Sequence, residues 1–96
     1  MKEKRIIWSP IAEQTYLNIL SQILELWTLK EAENFEAKVE SLIEKLKKHN
    51  RLCPSSNTFK NLRRCVITTQ TSLVYQNNAD FIELVAFFDN RAEYLY

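Results

Sequence analysis

The chain has 96 residues and a formal net charge of +1, from 13 Lys and Arg against 12 Asp and Glu. A chain of this length is expected to form a single domain, residues 1–96, around one core. Its balanced charge excludes a global electrostatic attraction to nucleic acid or to membranes. The 46% of hydrophobic residues argues against disorder.

A short strand and two helices are predicted in the first half of the chain. Arg5–Trp8 is apolar and β-branched, and Ser9-Pro10 fits an N-cap followed by proline at the first helical position. Apolar residues then recur at spacings of three and four as far as Trp27. Residues 28–31 fit a capping box that begins a second helix, which Asn50 is expected to end in the left-handed conformation because the chain has no glycine. So short a turn predicts an antiparallel helix hairpin.

Three strands are predicted in the second half, where the apolar period changes to two. They cover residues 62–69, 71–76 and 80–90, and turns near Gln70 and at Asn77-Asn78 separate them. The fold class is therefore α+β: an N-terminal strand, an antiparallel helix hairpin and a three-stranded antiparallel meander, forming one sheet packed on the helices.

Alternation along the last strand assigns its side chains to two faces. One face is uniformly apolar and is expected to pack on the helices; it carries Ile82, Leu84, Ala86 and Phe88. The other is expected to stay open, with Phe81, Val85 and Phe87 as an apolar stripe and Arg91 at its end. A contiguous exposed apolar stripe on a small protein indicates an interaction site.

Two arginines lie side by side in the strand at residues 62–69. Alternation places Arg63 and Arg64 on opposite faces, so one of them is expected over the open sheet, but the pattern does not say which. The strongest basic cluster lies elsewhere, at the end of the second helix, and could contact nucleic acid. It comprises Lys45, Lys47, Lys48 and Arg51.

Neither a metal nor a cofactor is expected. Cys53 and Cys65 lack CxxC spacing, and the chain has one histidine, His49, to join them, so a zinc site lacks ligands. No apolar run approaches the ~20 residues of a membrane span, and the start MKEKRIIWSP does not fit a secretory signal. We therefore expect no membrane association, a cytoplasmic location and a reduced pair of thiols.

The order of these elements, with IIWSPIAEQTYLNI, NLRRCVITTQTSLVYQ and IELVAFFDNR, resembles the RelE/ParE superfamily of toxins. The resemblance spans nearly the whole chain. It implies a growth-inhibiting toxin of a type II toxin-antitoxin system, of the plasmid-stabilisation kind, that forms a hetero-oligomer with a cognate antitoxin. RelE-like members cleave mRNA on the ribosome, whereas ParE-like members poison DNA gyrase.

The residues that match the toxins bear on which activity is present. RNA cleavage without a metal needs a base, an acid and cations to stabilise the charged phosphate. Arg64, Arg91 and Tyr94 are the candidates for such catalytic roles, but Ser72 stands before LVYQ, where the RelE pattern has an arginine. This departure favours a ParE-like gyrase inhibitor. A ribosome-dependent endoribonuclease and an inactive antitoxin-binding member are the alternatives, so enzymatic activity stays open.

Contacts with partners are assigned on the same basis. Arg63, Arg64, Arg91 and Tyr96 are expected to contact the target, whether gyrase or the ribosome with its mRNA. The antitoxin is expected to cover the apolar stripe of the last strand.

Overall fold

Four strands and two helices make up the fold, in a computed structural model that describes residues 3–59 and 61–90. The elements are β1 (Arg5–Trp8), α1 (Pro10–Leu26), α2 (Leu29–Lys48), β2 (Leu62–Val66), β3 (Thr71–Asn77) and β4 (Phe81–Asp89). The strands form one sheet in the order β1-β4-β3-β2, packed on the helices. The predicted fold class is thereby confirmed. No helix in the described part of the chain is long and apolar enough to cross a membrane.

Both helices begin where the sequence indicates. The Ser9 hydroxyl accepts a hydrogen bond from the Ala12 N–H at 2.9 Å, and the Thr28 hydroxyl accepts one from Glu31 N–H at 3.2 Å. The prediction for Asn50 is wrong, since no non-glycine residue in the described ranges has a positive φ. Instead, the Asn50 amide nitrogen donates to the Leu46 carbonyl at 2.8 Å, which satisfies a carbonyl of the last helical turn.

The first strand adds to the sheet beside the last one. β1 pairs in parallel with β4, whereas β3 pairs antiparallel with both β4 and β2. The helices cover one side of this sheet, which we call the inner face, and the core lies between them. The inner-face residues of the core are Ile6, Trp8, Cys65, Leu73, Tyr75, Ile82, Leu84 and Phe87.

A β-bulge at Val85 breaks the alternation of the last strand. Val74 of β3 pairs with Ala86 of β4, but the next residue, Tyr75, pairs with Leu84. Val85 is therefore an extra, unpaired residue on β4. The start of α1 is bound to this point, since Ser9 N–H donates to the Leu84 carbonyl at 3.0 Å and Ser9 Oγ to the Val85 carbonyl at 2.8 Å. These two bonds join the β1–α1 junction to β4 and stabilise the bulge there.

The bulge reverses the predicted roles of the two phenylalanines. Phe87 lies on the inner face, 2% exposed, with its ring centroid 5.6 Å from that of Trp8 and 5.2 Å from that of Tyr16. The prediction that Phe87 belongs to an open apolar stripe is wrong, because one extra residue moves every later side chain to the other face. Ala86 and Phe88, predicted as core against the helices, lie on the opposite side.

We call that opposite side the outer face. Its members follow from strand register and alternation, and are Arg5, Ile7, Leu62, Arg64, Val66, Ser72, Val74, Gln76, Phe81, Glu83, Ala86 and Phe88. Its centre is less open than expected, since Ser72, Val74, Ala86 and Phe88 are buried.

Cys53 and Cys65 form a disulfide, so the expected reduced pair is not what the structure contains. Cys65 points inward from β2, and Cys53 lies in the segment that follows α2, with a Cα–Cα distance of 5.3 Å. This segment also forms an isolated bridge, from Ser55 to Arg63. The sequence separation of 12 residues did not reveal the pairing, because only the return of the chain alongside β2 brings the sulfurs together.

Candidate functional site

The two adjacent arginines of β2 have separate environments. Arg63 pairs with Tyr75 and lies on the inner side, where its Nη1 donates to the Cys53 carbonyl at 2.7 Å. Arg64 pairs with Val74 and projects over the outer face. The structure thus resolves the ambiguity left by the sequence in favour of Arg64.

A set of polar contacts holds the Arg64 guanidinium in place. Its Nε donates weakly to Ser72 Oγ at 3.4 Å, and its Nη2 donates to Asn90 Oδ1 at 3.2 Å. The guanidinium carbon also lies 5.4 Å from the ring centroid of Phe88, within the range of a cation–π contact. Arg64 is therefore a positioned, half-buried cation rather than a freely moving surface side chain.

Asn90 connects this cation to the β2–β3 turn. Its backbone N–H donates to the Gln70 carbonyl at 2.8 Å, and its amide nitrogen donates to the carbonyls of Thr68 and Thr69 at 3.2 and 3.0 Å. Its amide oxygen accepts from both Arg64 and the hydroxyl of buried Ser72. The end of β4 is therefore bound to the turn at the place where Arg64 lies.

Other charged groups on the outer face of β2, β3 and β4 are few. Among the residues that the structure describes, that face carries one carboxylate, Glu83, which pairs across the strands with Gln76 and not with the position of Arg64. No three His, Cys, Asp or Glu side chains converge as metal ligands within the described ranges. The arrangement suits electrostatic recognition of a partner by a fixed cation.

Two tyrosines that the sequence did not single out have altered acidity. Burial raises the pKa of the Tyr75 hydroxyl, although a Cys53 backbone hydrogen bond and the charge of Arg63 oppose that shift. Burial also raises the pKa of Tyr16, and Glu36 and Glu40 raise it further. Both hydroxyls therefore stay protonated at neutral pH, and that of Tyr75 donates to the Asn50 carbonyl at 2.7 Å.

The remaining predicted site residues fall into two groups. Phe81 and Val85 are half-buried, the first on the outer face and the second in the bulge. Arg91, Tyr94 and Tyr96 lie outside the described residues. Sequence reasoning missed Asn90 as a partner of Arg64, indicating only a turn residue, because their contact spans 26 positions.

Several solved structures share this architecture, and two of them come from toxin-antitoxin systems. A chain of the chromosomal ParDE system from P. aeruginosa superimposes with a TM-score of 0.76 at 11% identity, covering 91% of this chain and 96% of that one. The chain has the RelE/ParE-like toxin fold. The YoeB dimer from Staphylococcus aureus gives a TM-score of 0.65 at 14% identity, with coverage of 90% and 95%. The E. coli DinJ-YafQ toxin-antitoxin complex gives 0.63 at 11% identity, with coverage of 94% and 96%.

Sequence comparison adds nothing to this structural result. Neither a protein-family model nor a curated protein sequence matches the chain. At identities this low, the shared RelE/ParE-like fold does not by itself determine an activity.

Proposed function

We propose that the chain is the toxin of a type II toxin-antitoxin system and that it acts as a ParE-like inhibitor of DNA gyrase in the cytoplasm. The observation that carries the choice of activity is the environment of Ser72. Its side chain is buried and bonded to Arg64 and Asn90, at the position where the RelE pattern places an arginine. Arg64 is thus the lone cation described on the outer face of β2, β3 and β4.

A single fixed cation is better suited to binding than to RNA cleavage. Cleavage of a phosphodiester needs several groups that act on the attacking oxygen, the phosphate and the leaving oxygen. One positioned arginine matches the usual anchor of a protein–protein interface, where arginine is among the residues that carry most of the binding energy. We assign Arg64 that role, with Arg91 and Tyr96 as further target contacts proposed from the sequence.

A ribosome-dependent mRNA endoribonuclease is the second candidate. The observation in its favour is the same fixed arginine, with Glu83 on the same face. In that case Arg64 would stabilise the charged phosphate, while Arg91 and Tyr94 would complete the site.

Induction in bacteria distinguishes these activities. For a gyrase inhibitor, growth arrest should coincide with an SOS response and fragmented DNA, while primer extension on translated mRNAs shows no new ends. New codon-linked mRNA ends with intact DNA would assign the endoribonuclease instead. Normal growth on induction would leave only an inactive, antitoxin-binding protein.

The Arg64→Ala variant is expected to reduce toxicity sharply. Loss of an arginine anchor typically costs about 2 kcal/mol or more in binding, a factor of roughly 30. The measurement is the inducer concentration that halves the growth rate, at matched protein levels. Lys30→Ala, which removes an exposed cation from α2, is the control for net charge. Equal toxicity of the Arg64 variant and the wild type would remove Arg64 from the target site.

An exposed apolar surface on the helices is the best-supported antitoxin site. Leu17, Leu20 and Leu24 repeat along one side of α1, and Trp27 continues the same spacing beyond it. Three of these side chains are strongly exposed, at 57% for Leu17, 52% for Leu24 and 64% for Trp27. We call these four residues the α1 stripe, of which Leu20 is half-buried and also packs against the core. The three exposed apolar side chains on one side of the helix favour a partner there.

The α1 stripe indicates what kind of partner it binds. A row of apolar side chains along one side of a helix complements the apolar face of an amphipathic segment. We therefore propose that an amphipathic segment of the antitoxin binds here, with further contacts to Phe81 and Val85.

Leu24→Glu is expected to abolish neutralisation while sparing the fold. The new carboxylate would be buried without a partner in the complex, weakening binding by at least about 2 kcal/mol. Co-expression with the cognate antitoxin, and pull-down of the pair, measure the effect. Asn18→Glu places the same charge elsewhere on α1 and should leave binding intact. Undiminished rescue of the Leu24 variant would exclude the α1 stripe as the site.

A further inference from the structure

A polar cleft lies at the end of β3, between the segment after α2 and the β3–β4 turn. It has a volume of about 410 Å³. All its lining residues are polar: Arg51, Asn61, Arg63, Gln76, Asn77 and Asn78. Two arginines and four residues with carboxamide side chains therefore line one space, and no acidic residue is among them.

The arginines of the cleft form no ion pair within the described part of the chain, where the ion pair present joins Lys47 to Glu44 of α2. The last turn of α2 adds Lys45 and Lys48 beside the same segment. An anion entering the cleft would thus meet two arginines that are not held in ion pairs.

Arg51 lies between two residues, Asn50 and Cys53, whose backbone carbonyls are held by hydrogen bonds. On one side, the Asn50 carbonyl accepts a hydrogen bond from the buried Tyr75 hydroxyl at 2.7 Å. On the other, Cys53 is held by its disulfide to Cys65 and by Arg63, whose Nη1 donates to its carbonyl at 2.7 Å. This part of the cleft is therefore preorganised, which lowers the entropy cost of binding.

The opposite wall is fixed by a lysine. Lys4 Nζ donates to the Asn77 side-chain oxygen at 2.7 Å and to the Asn78 carbonyl at 2.6 Å. With its oxygen used in this way, the Asn77 amide has its N–H₂ group left as the donor for a ligand. Both walls thus present N–H donors.

We propose that this cleft binds the phosphodiester backbone of a nucleic acid strand. Guanidinium groups match phosphate oxygens in geometry and charge, and carboxamides suit sugar hydroxyls and base edges. A volume of about 410 Å³ exceeds what a single small anion fills, since one water takes about 30 Å³ of liquid. The lysines at the end of α2 extend the positive surface to neighbouring phosphates.

The cleft is separate from the site of the proposed function. Arg63 faces the cleft side and Arg64, its neighbour, projects over the outer face, so each can be altered without removing the other. Binding in the cleft does not depend on which target the toxin inhibits, or on toxicity at all.

Binding of the purified full-length protein to fluorescein-labelled 12-mers, one RNA and one DNA of the same sequence, tests the proposal by anisotropy. Arg51→Ala should weaken binding about tenfold and reduce the slope of log K against log salt by about 1, because one phosphate contact is lost. Arg51 is exposed, so the variant should melt like the wild type. Lys30→Ala, at the other end of α2, should bind like the wild type.

Several outcomes would overturn the proposal. These are no binding of either 12-mer at 50 mM salt, equal binding by the wild type and the Arg51 variant, or an equal loss in the Lys30 control. Binding of inorganic phosphate without the 12-mers would show a site for free anions instead. Binding of poly-glutamate as tight as that of the 12-mers would show a site for acidic polypeptides. A preference for RNA or for DNA supports the proposal either way and identifies the strand.

Discussion

Replacing Phe87 with alanine is expected to lower the free energy of unfolding by about 3–5 kcal/mol, the range for deletion of a buried aromatic ring. The ring is 2% exposed and packs between Trp8 and Tyr16, and Tyr16 in turn packs on Phe35, so its loss opens a cavity where β1, β4 and both helices meet. Urea unfolding measures the change. In a Trp27→Phe background, the fluorescence of Trp8 should also change, since Phe87 stacks on that indole.

Phe88→Ala is the matched comparison for this prediction. Phe88 lies on the outer face against the Arg64 guanidinium, so its removal should cost less, on the order of 2 kcal/mol, and leave Trp8 emission unchanged. A larger loss of unfolding free energy for the Phe88 variant than for the Phe87 variant, with Trp8 emission unchanged in both, would contradict this prediction. Phe88 would then be the inner-face residue, and there would be no bulge at Val85.

Reduction of the disulfide is expected to lower the free energy of unfolding by about 3 kcal/mol. Cys53 and Cys65 are 12 residues apart, and a cross-link that closes a loop of this size restricts the unfolded chain by about that amount. The segment between them includes Ser55, which forms an isolated bridge with Arg63 of β2. It begins at Cys53, whose carbonyl accepts a hydrogen bond from the Arg63 side chain. Urea unfolding with and without a thiol reductant measures the difference.

The double variant Cys53→Ala/Cys65→Ala separates loss of the cross-link from any effect of the reductant. It should match the reduced wild type and be insensitive to reductant. Alkylation followed by mass measurement reports how many thiols are free. Two free thiols in the native, unreduced protein, or equal stability of both forms, would contradict the prediction. The comparison also matters for function, because the proposed cytoplasmic site of action keeps most thiols reduced.

Much of the fold could be predicted because its signals are local. Ser9-Pro10 and Thr28 begin helices through hydrogen bonds to amides three residues away, and these bonds are present as expected. The order of elements and the antiparallel meander also follow from short-range patterns, and this order, together with the segments quoted above, resembles the RelE/ParE superfamily.

The candidate site could be predicted only in part. Arg64 is among the residues that the sequence proposes, and Ser72 is visible there as a departure from the RelE pattern. Their connection through Asn90 is not visible in the sequence, since Asn90 lies 26 positions from Arg64 and 18 from Ser72 and meets them only when β4 returns beside β3. The α1 stripe also escapes prediction, because a helical spacing of apolar residues that extends to Trp27 does not show that Leu17, Leu24 and Trp27 stay uncovered.

The sequence by itself determined the local elements, their order and one face of each helix, since these depend on contacts within a few residues. Only the tertiary structure decided which phenylalanine is core, which arginine faces outward and whether the cysteines pair. The Ser9–Val85 contact joins residues 76 positions apart and stabilises a one-residue bulge that reverses the end of β4. The alternation of apolar residues along β4 does not reveal this extra residue, because the contact that stabilises the bulge comes from a distant part of the chain.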